Sequence, residues 1–296
     1  MTVELTLLGT GTPTPLNHRA GSGYLLTLDD EKILVDCGPG IVRRLLQKGE
    51  DLTRINTLLL THIHYDHCVD YAYFTLTRWD QGAGKAPELA VIGASGTRAM
   101  TDRLFGPEGA FSADLIARTE HPGSQYIYEA RGGVLPRLKP VPVVEEVTHG
   151  DELDRGDWTM NVAEVAHVQP QLTCLAYRVE IQGTTVVFGG NTAPTESLVE
   201  LAQGANVLIH MCHFMNGVVT DARMTSFCSG HLDAARSAKE AGVDTLVLVH
   251  LTEQMEGAGV RERIVAEASR LFDGHVVYGE DLLQVPLGGV KLAKLT

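Results

Sequence analysis

The sequence predicts an α/β fold with two mixed β-sheets packed between helices. Three features carry that expectation. Short apolar runs at Thr57–Leu60, Asn206–His210 and Asp244–His250 read as strands buried on both faces. Stretches with helical spacing alternate with them, as at residues 41–48, 96–105 and 259–271. The second half repeats the first in outline, and no linker divides the two. A single domain over residues 1–296 is therefore expected.

Each element has a local reason. Residues 3–8 alternate as a strand, and a Gly/Thr/Pro loop follows at 9–15. Gly23–Leu28 and Lys32–Asp36 flank Asp29-Asp30-Glu31, a hairpin signature. Asp36-Cys-Gly-Pro-Gly40 breaks the strand, and Ile41 to Lys48 places Ile41, Leu45 and Leu46 on one helical face. Val69 to Trp79 is ring-rich, either a helix packing Tyr71, Tyr73, Phe74 and Trp79 into the core or a pocket wall for an aromatic substrate. Leu89–Gly93 reads as a strand, while residues 106–140 have mixed periodicity and suit a lid or interface element. Residues 140–147 and 158–165 read as strands joined by a polar turn that carries His149, a surface residue. Thr173–Ile181 and Thr184–Phe188 form a hairpin around Gln182-Gly183, a helix follows near 195–203, and another runs from His231 to about Ala241.

Composition narrows the function. The chain carries 24 basic against 37 acidic residues, a net charge of −13, with no basic run. A grip on phosphate backbones draws on clustered Lys and Arg, so a small molecule is expected as partner and nucleic acid is disfavoured. The five cysteines are scattered without a Cys-x-x-Cys pair, which suits a reducing compartment. The first residues enter a strand directly, with no leader pattern, and no apolar run is long enough for a bilayer. A cytoplasmic protein without membrane attachment is expected.

The chemistry sits just after Thr57–Leu60. His62, His64, Asp66 and His67 offer imidazole and carboxylate donors within six residues, the donor set of a hydrolytic zinc site. Alternation puts His62, His64 and Asp66 on one side and turns His67 away. One metal cannot easily gather all four, but two metal positions could, or one position with a proton-handling group. His167 and His250 also stand at strand ends, where distant ligands can converge.

His62-x-His64-x-Asp66-His67 after a strand resembles the signature of the metallo-β-lactamase fold superfamily. The opening Leu7-Leu-Gly-Thr-Gly-Thr-Pro-Thr-Pro15 is similar to that of its ribonuclease Z and arylsulfatase-like branches. The resemblance implies an αββα sandwich. It implies one metal position at His62, His64 and His167, and another at Asp66, His67 and His250. It also makes Asp36 a support of the metal-binding loop. One departure stands out: Gly189-Gly-Asn-Thr192 places Asn191 where the family has a bridging Asp. An amide ligates without charge and bridges poorly, so one firmly bound Zn²⁺ at Asp66, His67, Asn191 and His250 is expected, with a second possible. Hydrolytic dehalogenases of the chlorothalonil type look similar in using Asn there. His231, in Ser229-Gly-His-Leu-Asp233, falls near a family His-Ser-Thr segment, which implies a general acid or charge stabiliser. His210 reads as structural or supporting, and His213 as a substrate contact or a metal ligand at a subunit contact.

The expected activity is a metal-dependent hydrolase acting through metal-activated water that Asp66 orients or deprotonates. The favoured substrate is a small organic molecule, with dehalogenation of a chlorinated aromatic as one form. The alternatives are a ribonuclease Z-like phosphodiesterase and an arylsulfatase or ester hydrolase. A homodimer is expected, as is usual for soluble enzymes.

Overall fold

The computed structural model describes residues 3–287. The first half supplies strands β1 (Val3–Gly9), β2 (Gly23–Leu28), β3 (Glu31–Val35), β4 (Thr57–Leu60), β5 (Ala90–Gly93) and β6 (Val143–Glu146). The second supplies β7 (Glu152–Asp154), β8 (Trp158–Glu164), β9 (Leu175–Ile181), β10 (Thr184–Phe188), β11 (Val207–Met211), β12 (Thr245–Val249), β13 (His275–Tyr278) and β14 (Leu283–Val285). They form two seven-stranded sheets, ordered β14-β1-β2-β3-β4-β5-β6 and β13-β12-β11-β10-β9-β8-β7. Each is antiparallel at one end and parallel at the other. The helices are α1 (Ile41–Lys48), α2 (Tyr65–Cys68), α3 (Tyr71–Gly82), α4 (Thr97–Phe105), α5 (Ser112–Glu120), α6 (Pro122–Ala130), α7 (Glu196–Leu201), α8 (Ala222–Thr225), α9 (His231–Ala241) and α10 (Val260–Leu271).

The alternation along the strands builds the layers. In β4, Leu59 faces the opposing sheet while Leu58 and Leu60 face the helices. In β12, Val247 and Val249 point between the sheets, and Leu246 and Leu248 point to the outer layer. Strands covered on both faces therefore read as unbroken apolar runs. The central layer joins the sheets through Leu26, Val35, Tyr177, Phe188 and Ile209. Two hydrogen bonds also cross it: the Tyr177 hydroxyl donates to the Leu60 carbonyl at 2.6 Å, and Leu175 N–H donates to the Thr61 carbonyl at 2.9 Å. α1 stops where Gly49 takes φ 86° and its N–H returns to the Leu45 and Leu46 carbonyls.

One expectation is corrected, and two open ones are filled in. Residues 140–147 and 158–165 are not joined by a turn, because β6 and β8 lie in different sheets and the chain crosses the sandwich between them. β7 pairs with β8, and three residues are too few to show a period. The stretch 106–140 contains two helices, α5 and α6, held by Asp80, whose carboxylate meets Arg118, Arg131 and Arg137. The ring-rich segment is a helix packed inward, with Tyr71 and Phe74 fully buried in the outer core and Tyr73 exposed. Trp79 lies under the Arg137 guanidinium at 3.9 Å and lines a small cavity with Tyr128, away from the strand-end histidines.

Candidate metal centre

The ligand residues leave the ends of several strands and meet where the two sheets adjoin. β4 ends at Leu60, and the next turn presents His62 and His64 before α2 carries Asp66 and His67. His167 follows β8, Asn191 follows β10, and His250 follows β12. His62, His64 and His167 form one trio and Asp66, His67 and His250 another, with the donor atoms of each within 4.8 Å of one another. Each trio draws from both sheets. The His62 and His67 ring centroids are 4.1 Å apart, so the trios are adjacent.

The surroundings fix which nitrogen each ring offers. His67 Nδ1 lies 2.6 Å from Asp36 Oδ2, leaving Nε2 buried without a hydrogen-bond partner among the described residues, 3.5 Å from Asp66 Oδ2. His167 Nδ1–H donates to the Phe227 carbonyl at 2.7 Å, which frees its Nε2. His250 turns Nε2 towards Asp66 Oδ2 at 3.2 Å and the Asn191 amide at 3.1 Å. A buried imidazole nitrogen without a partner is costly, and a cation removes that cost. The donors therefore fit a divalent cation of the zinc class.

Asp36 anchors the loop. It is fully buried at φ 57° and accepts from Thr61 N–H at 2.9 Å and from Ser22 Oγ at 3.1 Å, as well as facing His67. Ser22 N–H and Cys37 N–H bind the Asp66 and His67 carbonyls at 3.0 and 2.7 Å. A Cβ at Gly38 would lie 2.0 Å from the Asp66 carbonyl oxygen, so the close approach of the two loops requires glycine there.

Electrostatics follow from this packing. Burial lowers His62, and it brings His167 down to about 4. Burial would raise the Asp66 carboxyl, but the His250 hydrogen bond and the neighbouring His67 ring outweigh it and hold it at about 2. Burial also works against a charged His67, yet Asp36 raises it above its usual value. The centre thus pairs an ionised carboxylate with mostly neutral imidazoles, the protonation that metal binding needs.

The structure brings together His62, His64, Asp66, His67, His167, Asn191 and His250. It does not bring His231 to them. His231 is buried at the start of α9, with Nε2 2.8 Å from Glu267 Oε2 and Nδ1 accepting from Asn216 N–H at 3.3 Å. Both ring nitrogens are engaged there, and His231 is outside both trios. His213 stands beside the centre instead, its Nδ1 3.2 Å from His250 Nδ1, and burial brings it down to about 4. Its signal in the sequence was position: it lies just past the end of a strand that neighbours the one leading to His250.

A family model described as "Metallo-beta-lactamase superfamily" matches residues 16–250. The chain belongs to the metallo-beta-lactamase superfamily. Two proteins named Ribonuclease Z are similar to it along nearly their whole length. The one from Mycobacterium avium (strain 104) is 35% identical over 289 residues, spanning 96% of this chain and 98% of its own. The one from Mycobacterium tuberculosis (strain ATCC 25618 / H37Rv) is 33% identical over 292 residues, spanning 96% and 97%. Among solved structures, the metallo-beta-lactamase fold protein YhfI from Bacillus subtilis superposes with a TM-score of 0.75 at 22% identity, covering 96% of this chain and 98% of that one. Human tRNase Z, short form, gives 0.68 at 19% identity, covering 96% and 99%. These two show the sandwich. As a member of the metallo-beta-lactamase superfamily, the protein is a metal-dependent hydrolase. Asn191 is buried against His250 at this centre.

Proposed function

We propose that this metallo-beta-lactamase superfamily member is a phosphodiesterase that cleaves RNA, of the ribonuclease Z kind. The observation that carries the reading is the near full-length match to proteins of that name at 33–35% identity, with both histidine-rich trios assembled. A bound divalent cation would supply Lewis acidity and a water acidified to pKa ~7. His67, His250, Asp66 and Asn191 would hold the firmer cation, and His62, His64 and His167 a weaker second one. Asp66, ionised with a pKa of about 2, orients the attacking water and accepts its hydrogen bond.

The acidic net charge does not oppose this reading once charge is read locally. A groove of about 640 Å³ is lined by Tyr65, which follows His64 in the chain, and by Arg43, Arg44, Pro13 and Pro15, with Arg44 already paired to Asp281. A phosphate contact near the reacting bond needs a local cation rather than a basic protein, and Arg43 is the residue proposed for it. Hydrolysis of a small activated organic molecule, a haloaromatic included, is the second reading. Asn191 favours it, while Tyr71 and Phe74, two of the rings that suggested an aromatic substrate, are packed into the core.

The metal-loaded protein should be offered a precursor tRNA with a 3′ extension, a simple phosphodiester, an aryl sulfate, an aryl ester and a chlorinated aromatic. Release of the 3′ extension is the expected result. Chloride release with the tRNA left intact would reverse the assignment. Metal content per chain for the native protein and Asn191→Asp reports the number of ions. Asn191→Asp is expected to retain more of the second metal, because the added carboxylate offsets repulsion between two dications.

A further inference from the structure

We propose that His213 is a positioning residue that sets the tautomer and ring orientation of His250, and through it the firmness of the metal centre. The inference rests on the metal reading above. His213 and His250 meet Nδ1 to Nδ1 at 3.2 Å. A hydrogen bond between two such nitrogens holds a single proton, so one ring donates and the other accepts. His250 turns its Nε2 to Asp66 and Asn191, and that nitrogen ligates only through its lone pair. The His250 proton then sits on Nδ1 and is donated to His213. His213 supplies the acceptor that a ligating histidine ordinarily takes from a carboxylate or backbone carbonyl.

The backbone is built to keep the two rings together. Cys212 N–H donates to the Val249 carbonyl at 2.7 Å, His213 N–H donates to the Ser229 carbonyl at 2.9 Å, and Thr252 Oγ1 donates to the His213 carbonyl at 3.3 Å. The segments that follow β11 and β12 are thus tied on both sides of the imidazole pair. His250 itself has φ 57°, in the left-handed region, so its ring direction depends on what surrounds it. His213 is half-buried and outside both trios, which fits an orienting partner rather than a ligand.

The test compares the native protein with His213→Leu, His213→Asn and His250→Ala. The readouts are Zn²⁺ affinity by chelator competition and the visible spectrum of the Co²⁺-loaded forms. His213→Asn keeps an acceptor near the Nδ1 position, whereas His213→Leu removes it. His213→Leu is expected to bind metal roughly 10–100-fold more weakly, with an altered Co²⁺ spectrum, and His213→Asn to recover most of both. Native affinity and spectrum in His213→Leu would overturn the proposal. Equal loss in both variants would also overturn it, since His213 would then be a ligand in its own right. Native and His250→Ala proteins that bind metal alike would instead remove the metal reading itself. Circular dichroism of the metal-free variants separates misfolding from loss of the acceptor.

Discussion

At the residue scale, Asp36 shows how a group outside the ligand set controls it. Its carboxylate meets His67 Nδ1 at 2.6 Å and also receives the Thr61 amide, so it fixes both a ring and the strand end before it. Asp36→Asn replaces an ionised acceptor with a neutral amide. Metal affinity measured against a chelator is expected to fall roughly 10–100-fold, with the fold retained. A pH dependence follows from the buried imidazoles. His62, His64, His167, His210, His213 and His250 are all lowered, chiefly by burial. An unfolded chain then binds more protons than the folded one below pH 6.5, so stability rises with pH there. His67 acts oppositely, because its raised folded value adds stability below 6.5 that is lost as pH climbs through that value. Six lowered groups outweigh one raised group. Metal-free protein should melt at a lower temperature at pH 5 than at pH 7. The ligands were legible in the sequence because His62, His64, Asp66 and His67 crowd behind one strand. His213 was not, since its role depends on a ring 37 residues away in the chain.

At the element scale, strands buried on both faces announced themselves, and so did α1, α9 and α10, each with an apolar stripe and a polar face. α5 and α6 did not, because much of their surface is exposed and packing to a distant aspartate holds them. Asp80 gathers Arg118, Arg131 and Arg137, and the last of these stacks on Trp79. Asp80→Asn should loosen residues 106–142 without touching the centre. Limited proteolysis is expected to cut that region faster, while metal content stays at the native level. Parallel loss of metal would show that the helices and the centre are coupled.

For the whole molecule, the two sheets share one inner layer, and the polar contact across it is concentrated near the ligands. Tyr177 donates to the Leu60 carbonyl one residue before the ligand turn begins. Tyr177→Phe leaves that carbonyl buried without its partner, a cost of about 1–3 kcal/mol that a shift in the denaturant midpoint would register. The architecture was legible as alternating strands and helices with ligands at strand ends. The crossing from β6 to β8 and the return of β14 beside β1 were not, because which sheet a short strand joins depends on tertiary packing, not on its own period.

Asp281 binds the Thr10 amide and hydroxyl, the Ala20 amide and the Arg44 guanidinium with one carboxylate. That one carboxylate ties the Thr/Pro segment, Ala20 and α1 to a residue 237 to 271 positions further along the chain, so its removal would release three segments at once.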